Sequence, residues 1–138
     1  MNLVEELLGL VDELLAQQVE YAVCGGIALA IHGHPRFTKD IDLLIQLDDL
    51  ERVRSAAHRR GFTLEGGLLR FGAGTEKDRS IFRLSKADGP EILTLDLLLV
   101  GPALAGVWET RRTVEWRGRS SSGGRRPRLR RAAAAAAG

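Results

Sequence analysis

The stretch from Glu91 to Val100, EILTLDLLLV, constrains the fold more than any other part of the chain. It is the longest apolar run, and at about half of the roughly 20 residues a membrane helix needs, it is too short to span a bilayer. Apolar residues without alternation read as a strand covered on both faces. Such a strand sits inside a sheet, with paired neighbours on either side and other layers packed on it. One residue breaks the run, Asp96. An ionised carboxylate there is costly unless it is paired or binds a metal.

The rest of the pattern supplies the neighbours. Residues 2–18 predict an amphipathic helix, with Leu3, Leu7, Leu10 and Leu14 in one row and Val4, Leu8, Val11 and Leu15 beside it. Asn2 and Glu5 resemble a capping box at its start. Val19 to Cys24 predicts a short strand broken by Gly25-Gly26, and Ile27 to His32 a short helix closed by Gly33. Lys39 to Leu47 predicts a strand with Ile41, Leu43 and Ile45 on one face and Asp40 and Asp42 on the other. Asp48 or Asp49 caps a helix reaching about Arg60, ended by Gly61. Phe62–Leu64 and Leu68–Phe71 predict two short strands around Gly66-Gly67. Ile81–Ser85 predicts another, followed by a turn at Ala87–Pro90. A short helix near Ala103–Arg111 and a strand at Thr113–Trp116 complete the set. The predicted class is α/β (α+β): a mixed β-sheet with helices packed against it, in one domain over residues 1–118.

Charge divides the chain. Residues 111–138 carry nine Arg and a single acid, Glu115, whereas the first 110 residues carry eleven basic and seventeen acidic side chains. The overall net charge of +2 therefore describes neither part. The folded part is acidic. The segment 119–138 is an Arg/Ala-rich, low-complexity tail, expected to be disordered to about Arg130 with helix in its alanine run. Its mixture is also what GC-rich coding DNA yields out of frame, so a non-native origin is the expectation for it. The tail has no aromatic residue after Trp116 on which a base could stack. One Cys excludes an internal disulfide framework. The acidic N-terminal segment is unlike a signal peptide, and a reducing, cytoplasmic setting with no membrane association is expected.

The acids carry the chemistry. Asp40 and Asp42 are two apart, so both leave the same face of one strand. If that strand neighbours the one holding Asp96, three carboxylates converge. Their repulsion would raise their pKa values unless a divalent cation neutralised them. All-oxygen ligands suit Mg²⁺ or Mn²⁺, and two such ions can hold a nucleoside triphosphate and activate a hydroxyl for in-line attack. Upstream, Gly25-Gly26 between a strand and a helix lets backbone approach phosphate closely. Arg36 and Lys39 can carry phosphate charge and Thr38 can donate a hydrogen bond. A loop of donors beside a cluster of acids is what phosphoryl transfer requires.

The ordered set Cys24-Gly25-Gly26, Asp40-Ile41-Asp42-Leu43 and Leu95-Asp96-Leu97 resembles the DNA polymerase β-type nucleotidyltransferase superfamily. The stretch YAVCGGIALAIHGHPRFTKDIDLLI is most similar to the small bacterial and archaeal members that include AbiEii-like toxins of toxin–antitoxin systems. The resemblance covers residues 2–118. It implies that Asp40 and Asp42 ligate two metal ions, that Asp96 ligates the catalytic metal and helps deprotonate the acceptor hydroxyl, and that Gly25 and Gly26 hold the triphosphate. Arg36, Thr38 and Lys39 match a segment common in small members. Many members have Ser at the second glycine, where Gly26 offers backbone alone. The implied activity is Mg²⁺-dependent transfer of a nucleoside monophosphate from an NTP, ATP among them, to a tRNA end, a protein or a small molecule. An antitoxin or second subunit is the implied partner.

Plainer readings stand beside these. His32 and His34 read as structural loop residues, Cys24 as a small buried hydrophobe, Trp108 and Trp116 as packing residues, and Arg59-Arg60 as a solvated helix end. A catalytically inactive partner protein of the same fold and an RNA-binding protein acting through the Arg tail are the two alternative functions.

Overall fold

The computed structural model describes residues 2–24, 40–118 and 128–134, with the side chains of 114–118 and 128–132 left aside. Helix α1 (Leu3–Ala16) opens the chain. Its start is fixed by Asn2, whose Oδ1 accepts from the backbone N–H groups of Val4 at 3.0 Å and Glu5 at 3.2 Å. Leu7, Leu10 and Leu14 of the predicted row are fully buried, as is most of Val11. The helix closes when Gln18 turns to φ 57° and Val19 N–H donates to the Leu14 carbonyl at 2.9 Å. A left-handed residue at that position costs a side chain that glycine lacks. Gln18→Gly is therefore expected to raise stability by about 0.5–1 kcal/mol, read as a shift in the urea midpoint at unchanged slope.

Strand β1 (Tyr21–Cys24) follows, and then β2 (Asp40–Ile45). A 3₁₀ turn at Leu47–Asp49 leads into α2 (Leu50–Arg59). Asp49 occupies the expected cap position, but its side chain pairs with Arg52 and makes no cap hydrogen bond. Gly61, at φ 92°, ends α2 and feeds Phe62 into the core, where it is fully buried.

The two short strands expected around Gly66-Gly67 are one, β3 (Leu64–Phe71). A bulge between Glu65 and Gly67 absorbs the extra residue, so the ladder continues past the glycines. Strand β4 (Arg79–Asp88) and β5 (Glu91–Leu99) are both longer than their apolar centres, because hairpin pairing extends the ladder into polar residues. A 3₁₀ turn at Pro102–Leu104, the short helix α3 (Ala105–Glu109) and β6 (Arg112–Gly118) follow.

The tail departs from expectation. Arg128–Ala134 is a strand, β7, where disorder to Arg130 and then helix were expected. It lies antiparallel to β6 and parallel to β1, through Val23 opposite Ala134. Helix propensity is a weak prior, and backbone pairing in a slot between two strands needs nothing from the side chains. Residues 119–127 and 135–138, the rest of that expectation, lie outside the described residues.

The strands form one mixed sheet in the order β3-β4-β5-β2-β1-β7-β6. Strands β2 and β5 run parallel at its centre, and β1–β2, β3–β4, β4–β5 and β6–β7 are antiparallel. One face carries Ile41, Leu43, Ile45, Leu95, Leu97 and Leu84 into a core closed by α1 and α2. On the other face Ala22, Cys24, Leu44 and Leu98 pack under Leu104 and Trp108, so the 3₁₀ turn and α3 cover that part of the sheet. The apolar run of β5 is thus covered on both faces, which is why it shows no alternation. Among the described residues no helix is long and apolar enough to cross a membrane.

Candidate active site

The site lies on the second face, at the border of the Leu104–Trp108 pack. The β2–β5 register places Asp42 opposite Asp96, and Asp40 opposite Thr94. Parallel neighbours are about 4.8 Å apart, so Asp42 and Asp96 leave the sheet side by side. The row continues across the sheet. Cys24 of β1 is paired with Asp42, Arg83 of β4 with Asp96, and Gly67 of β3 with Arg83. Five strands therefore contribute one residue each to a line with two carboxylates and a guanidinium at its centre.

Asp96 is 8% exposed, the one charged residue that is buried among the described residues. Arg83 satisfies it with a fork: Nε donates to Oδ1 at 2.8 Å and Nη2 to Oδ2 at 3.1 Å. A bidentate pair of this kind makes a buried carboxylate tolerable. Among the described residues Asp42 has no such fork, and its carboxyl is pushed up to about 6. Burial is the main cause, followed by the negative charges of Asp96 and then Asp40; Arg83 and Arg79 pull the other way. The Cys24 thiol is pushed up to about 11, first by burial and then by Asp42, so it is a packing group and not a nucleophile.

The Asp42 shift has a signature in stability. A carboxyl whose pKa rises on folding, from 3.8 to about 6, binds its proton more tightly in the native state. The metal-free protein is then expected to lose stability as pH rises from about 4 to about 6, with no further loss from this group above that. Urea unfolding across this range checks it, and Asp42→Asn should flatten that part of the profile.

Two of the three acids expected to converge are thus direct neighbours, and Asp40 lies one register step pair along the same strand face. Of the expected phosphate loop, Gly25, Gly26, Arg36, Thr38 and Lys39 lie outside the described residues, as do His32, His34 and the Ile27–His32 helix. That segment joins Cys24, the residue paired with Asp42, to Asp40. Arg83 was not legible as a site residue: in the alternating pattern of β4 it reads as a solvent-facing charge. Only the register reveals its partner. A separate groove of about 740 Å³, lined in part by Leu47, Leu68, Arg70, Asp78 and Leu99, opens where β2 and β5 end. It holds none of the acids in the row.

The carboxylates suit a hard divalent cation by chemistry: all donors are oxygen, and their mutual repulsion is what such an ion relieves. Among the described residues, no three acid, His or Cys side chains stand close enough as placed to hold an ion. As it stands, Asp96 is engaged by the Arg83 fork at both oxygens.

Residues 7–93 match the model of a family described as the nucleotidyl transferase AbiEii toxin of type IV toxin–antitoxin systems. The chain belongs to the AbiEii family. The matched span includes Asp40, Asp42 and Arg83 and ends just before Asp96. Among solved structures, the chain is similar to a candidate nucleotidyltransferase (TM1012) from Thermotoga maritima, with a TM-score of 0.57, 18% identity, and coverage of 91% of this chain and 76% of that one. At that identity the likeness shows a shared fold. JHP933 from Helicobacter pylori aligns with a TM-score of 0.35 and 23% identity over 69% of this chain and 40% of its own. No curated protein matches the chain. The nucleotidyltransferase fold of this AbiEii member is therefore supported by family and by architecture.

Proposed function

We propose that the protein is a metal-dependent nucleotidyltransferase that moves a nucleoside monophosphate from an NTP to a hydroxyl. The observation that carries this reading is the register of Asp42 and Asp96 on adjacent central strands, with Asp40 on the same face. Asp40, Asp42 and Asp96 would hold two Mg²⁺ ions, or Mn²⁺, which when bound neutralise phosphate charge and acidify the acceptor hydroxyl. The acceptor oxygen attacks the α-phosphorus, a new P–O bond forms, and the bond to the β-phosphate oxygen breaks to release pyrophosphate. Asp96, buried in the central strand beside Asp42, would help take the acceptor's proton. The Leu104–Trp108 pack keeps water from one side of the row. Gly25 and Gly26 would cradle the triphosphate, with Arg36, Thr38 and Lys39 as further phosphate donors.

The acceptor class proposed is a tRNA end, a protein or a small molecule, and family membership supports an antitoxin as partner. The test is label transfer in the presence of Mg²⁺ and total tRNA or cell extract. Label from an α-labelled NTP should stay on the acceptor and label from a γ-labelled NTP should leave as pyrophosphate. Retention of the γ-label would identify a kinase and overturn the assignment. One observation favours a second reading, a catalytically silent member: the Arg83 fork that covers Asp96. Absence of Mg²⁺-dependent NTP binding would establish it.

A further inference from the structure

The Arg83–Asp96 pair sits where the proposed chemistry needs a free carboxylate. We propose that Arg83 is a built-in counter-cation, a positioning residue that balances Asp96 in the metal-free protein and is displaced from it when a divalent ion binds. The inference rests on the nucleotidyltransferase reading and adds to it a residue that no part of the acid motif contains.

Three observations carry it. First, Arg83 uses both arms on both oxygens of Asp96, so the carboxylate has its principal lone pairs committed. A cation that ligates Asp96 must compete with that fork for the same two oxygens and against the positive charge it places beside them. Second, the partners differ in exposure: the Asp96 side chain is 11% exposed and that of Arg83 is 43% exposed. Asp96 is fixed in the central strand, and Arg83 is the member free to withdraw toward solvent. Third, the strand beside Arg83 is built to leave it room. A Cβ on Gly66 would stand 3.3 Å from Arg83 Cγ and 3.4 Å from its Cβ, tighter than ordinary contact. The bulge falls at this same place, with Gly67 at φ 85° opposite Arg83. Bulges recur beside active sites, where they re-aim a side chain. The second glycine pair of the sequence thereby gains a role: it clears the stem of the residue that guards Asp96.

The charge arithmetic agrees. The Arg83 guanidinium faces Asp96 and lies within electrostatic reach of Asp42 and Asp40. A single positive charge balances part of a three-carboxylate cluster, and two divalent ions would balance all of it. Arg83 and the ions therefore compete for one set of oxygens. A guanidinium leaving Asp96 beside a bound nucleotide would meet phosphate, its other natural fork partner.

The experiment compares Mn²⁺ binding to the full chain and to Arg83→Gln without nucleotide, by the loss of the free-Mn²⁺ EPR signal, alongside thermal melts with and without Mn²⁺. With competition removed, Arg83→Gln should bind Mn²⁺ at least about tenfold more tightly. Its metal-free melting temperature should fall, and Mn²⁺ should raise it by more than it raises the wild type. Arg83→Lys, which keeps the charge and loses the fork, should bind with intermediate affinity and serves if Arg83→Gln does not fold. Wild-type binding with equal or weaker binding in the variants would overturn the counter-cation role and leave the nucleotidyltransferase reading standing. No Mn²⁺ binding by any of the three would overturn both.

Discussion

Asp42→Asn and Asp96→Asn are each expected to lower nucleotidyl transfer by roughly a thousandfold or more, with the chain still folded. The size follows from what the carboxylates do. Each would hold a divalent cation where negative charge develops on the transferring phosphate, and losing one stabilising group at such a place costs about 10²–10³ in rate even for a neutral donor. An amide keeps the shape and one acceptor oxygen but removes the charge that holds a hard cation. Folding should survive because Asn fills the same space in the strand. At position 96 its oxygen still accepts from one arm of Arg83, and the donor-to-donor contact at the other arm is relieved if the exposed Arg83 side chain turns toward solvent. At position 42 it removes the charge that burial first, and then repulsion from Asp96 and Asp40, disfavour, so Asp42→Asn should be at least as stable as wild type near neutral pH. Initial rates with an α-labelled NTP, paired with thermal melts, check both. A folded variant retaining more than about a tenth of the rate would contradict the assignment.

Leu97→Ala is expected to destabilise the protein by about 3 kcal/mol or more. Leu97 is fully buried at the centre of β5, between Leu43 of β2 and Phe82 of β4. Truncating a buried Leu removes transfer free energy and leaves a cavity that close-packed strands cannot collapse around, and Leu→Ala changes in cores cost about 2–5 kcal/mol. Domains of this kind have roughly 5–15 kcal/mol of stability in total, so the variant should melt many degrees lower. Urea unfolding measures it. A loss below about 1 kcal/mol would mean that β5 is not the central strand.

Much of this was legible in the residues. Leucines at helical spacing gave α1, and Gly61 gave the end of α2, because a local pattern suffices for each. The apolar run at 91–100 gave the central strand, since only a strand covered on both faces can do without alternation. Asp96 stood out for the same reason: a charge amid leucines is informative wherever it falls. The pairing partners were not legible. Whether Asp42 faces Asp96 depends on a register fixed by contacts far apart in sequence, and a slip of one residue would send Asp96 to the other face. Arg83 was hidden by the same limit, for an arginine between Phe82 and Leu84 looks like any outward-facing strand residue. The glycines at 66–67 read as a break because glycine weakens strands on average, whereas here they make a bulge that preserves the ladder. Strand β7 went unread because its pairing rests on backbone groups, while its alanines favour helix in isolation.

The role of Asp40, Asp42 and Asp96 as holders of divalent cations can be examined in a single assay. Transfer of label from an α-labelled NTP to the acceptor is followed with Mg²⁺, after chelation with EDTA, and after Mn²⁺ is restored in excess. Transfer with Mg²⁺, none in EDTA and recovery with Mn²⁺ are expected. Transfer that continues undiminished in EDTA would contradict a metal-dependent site built on these three carboxylates.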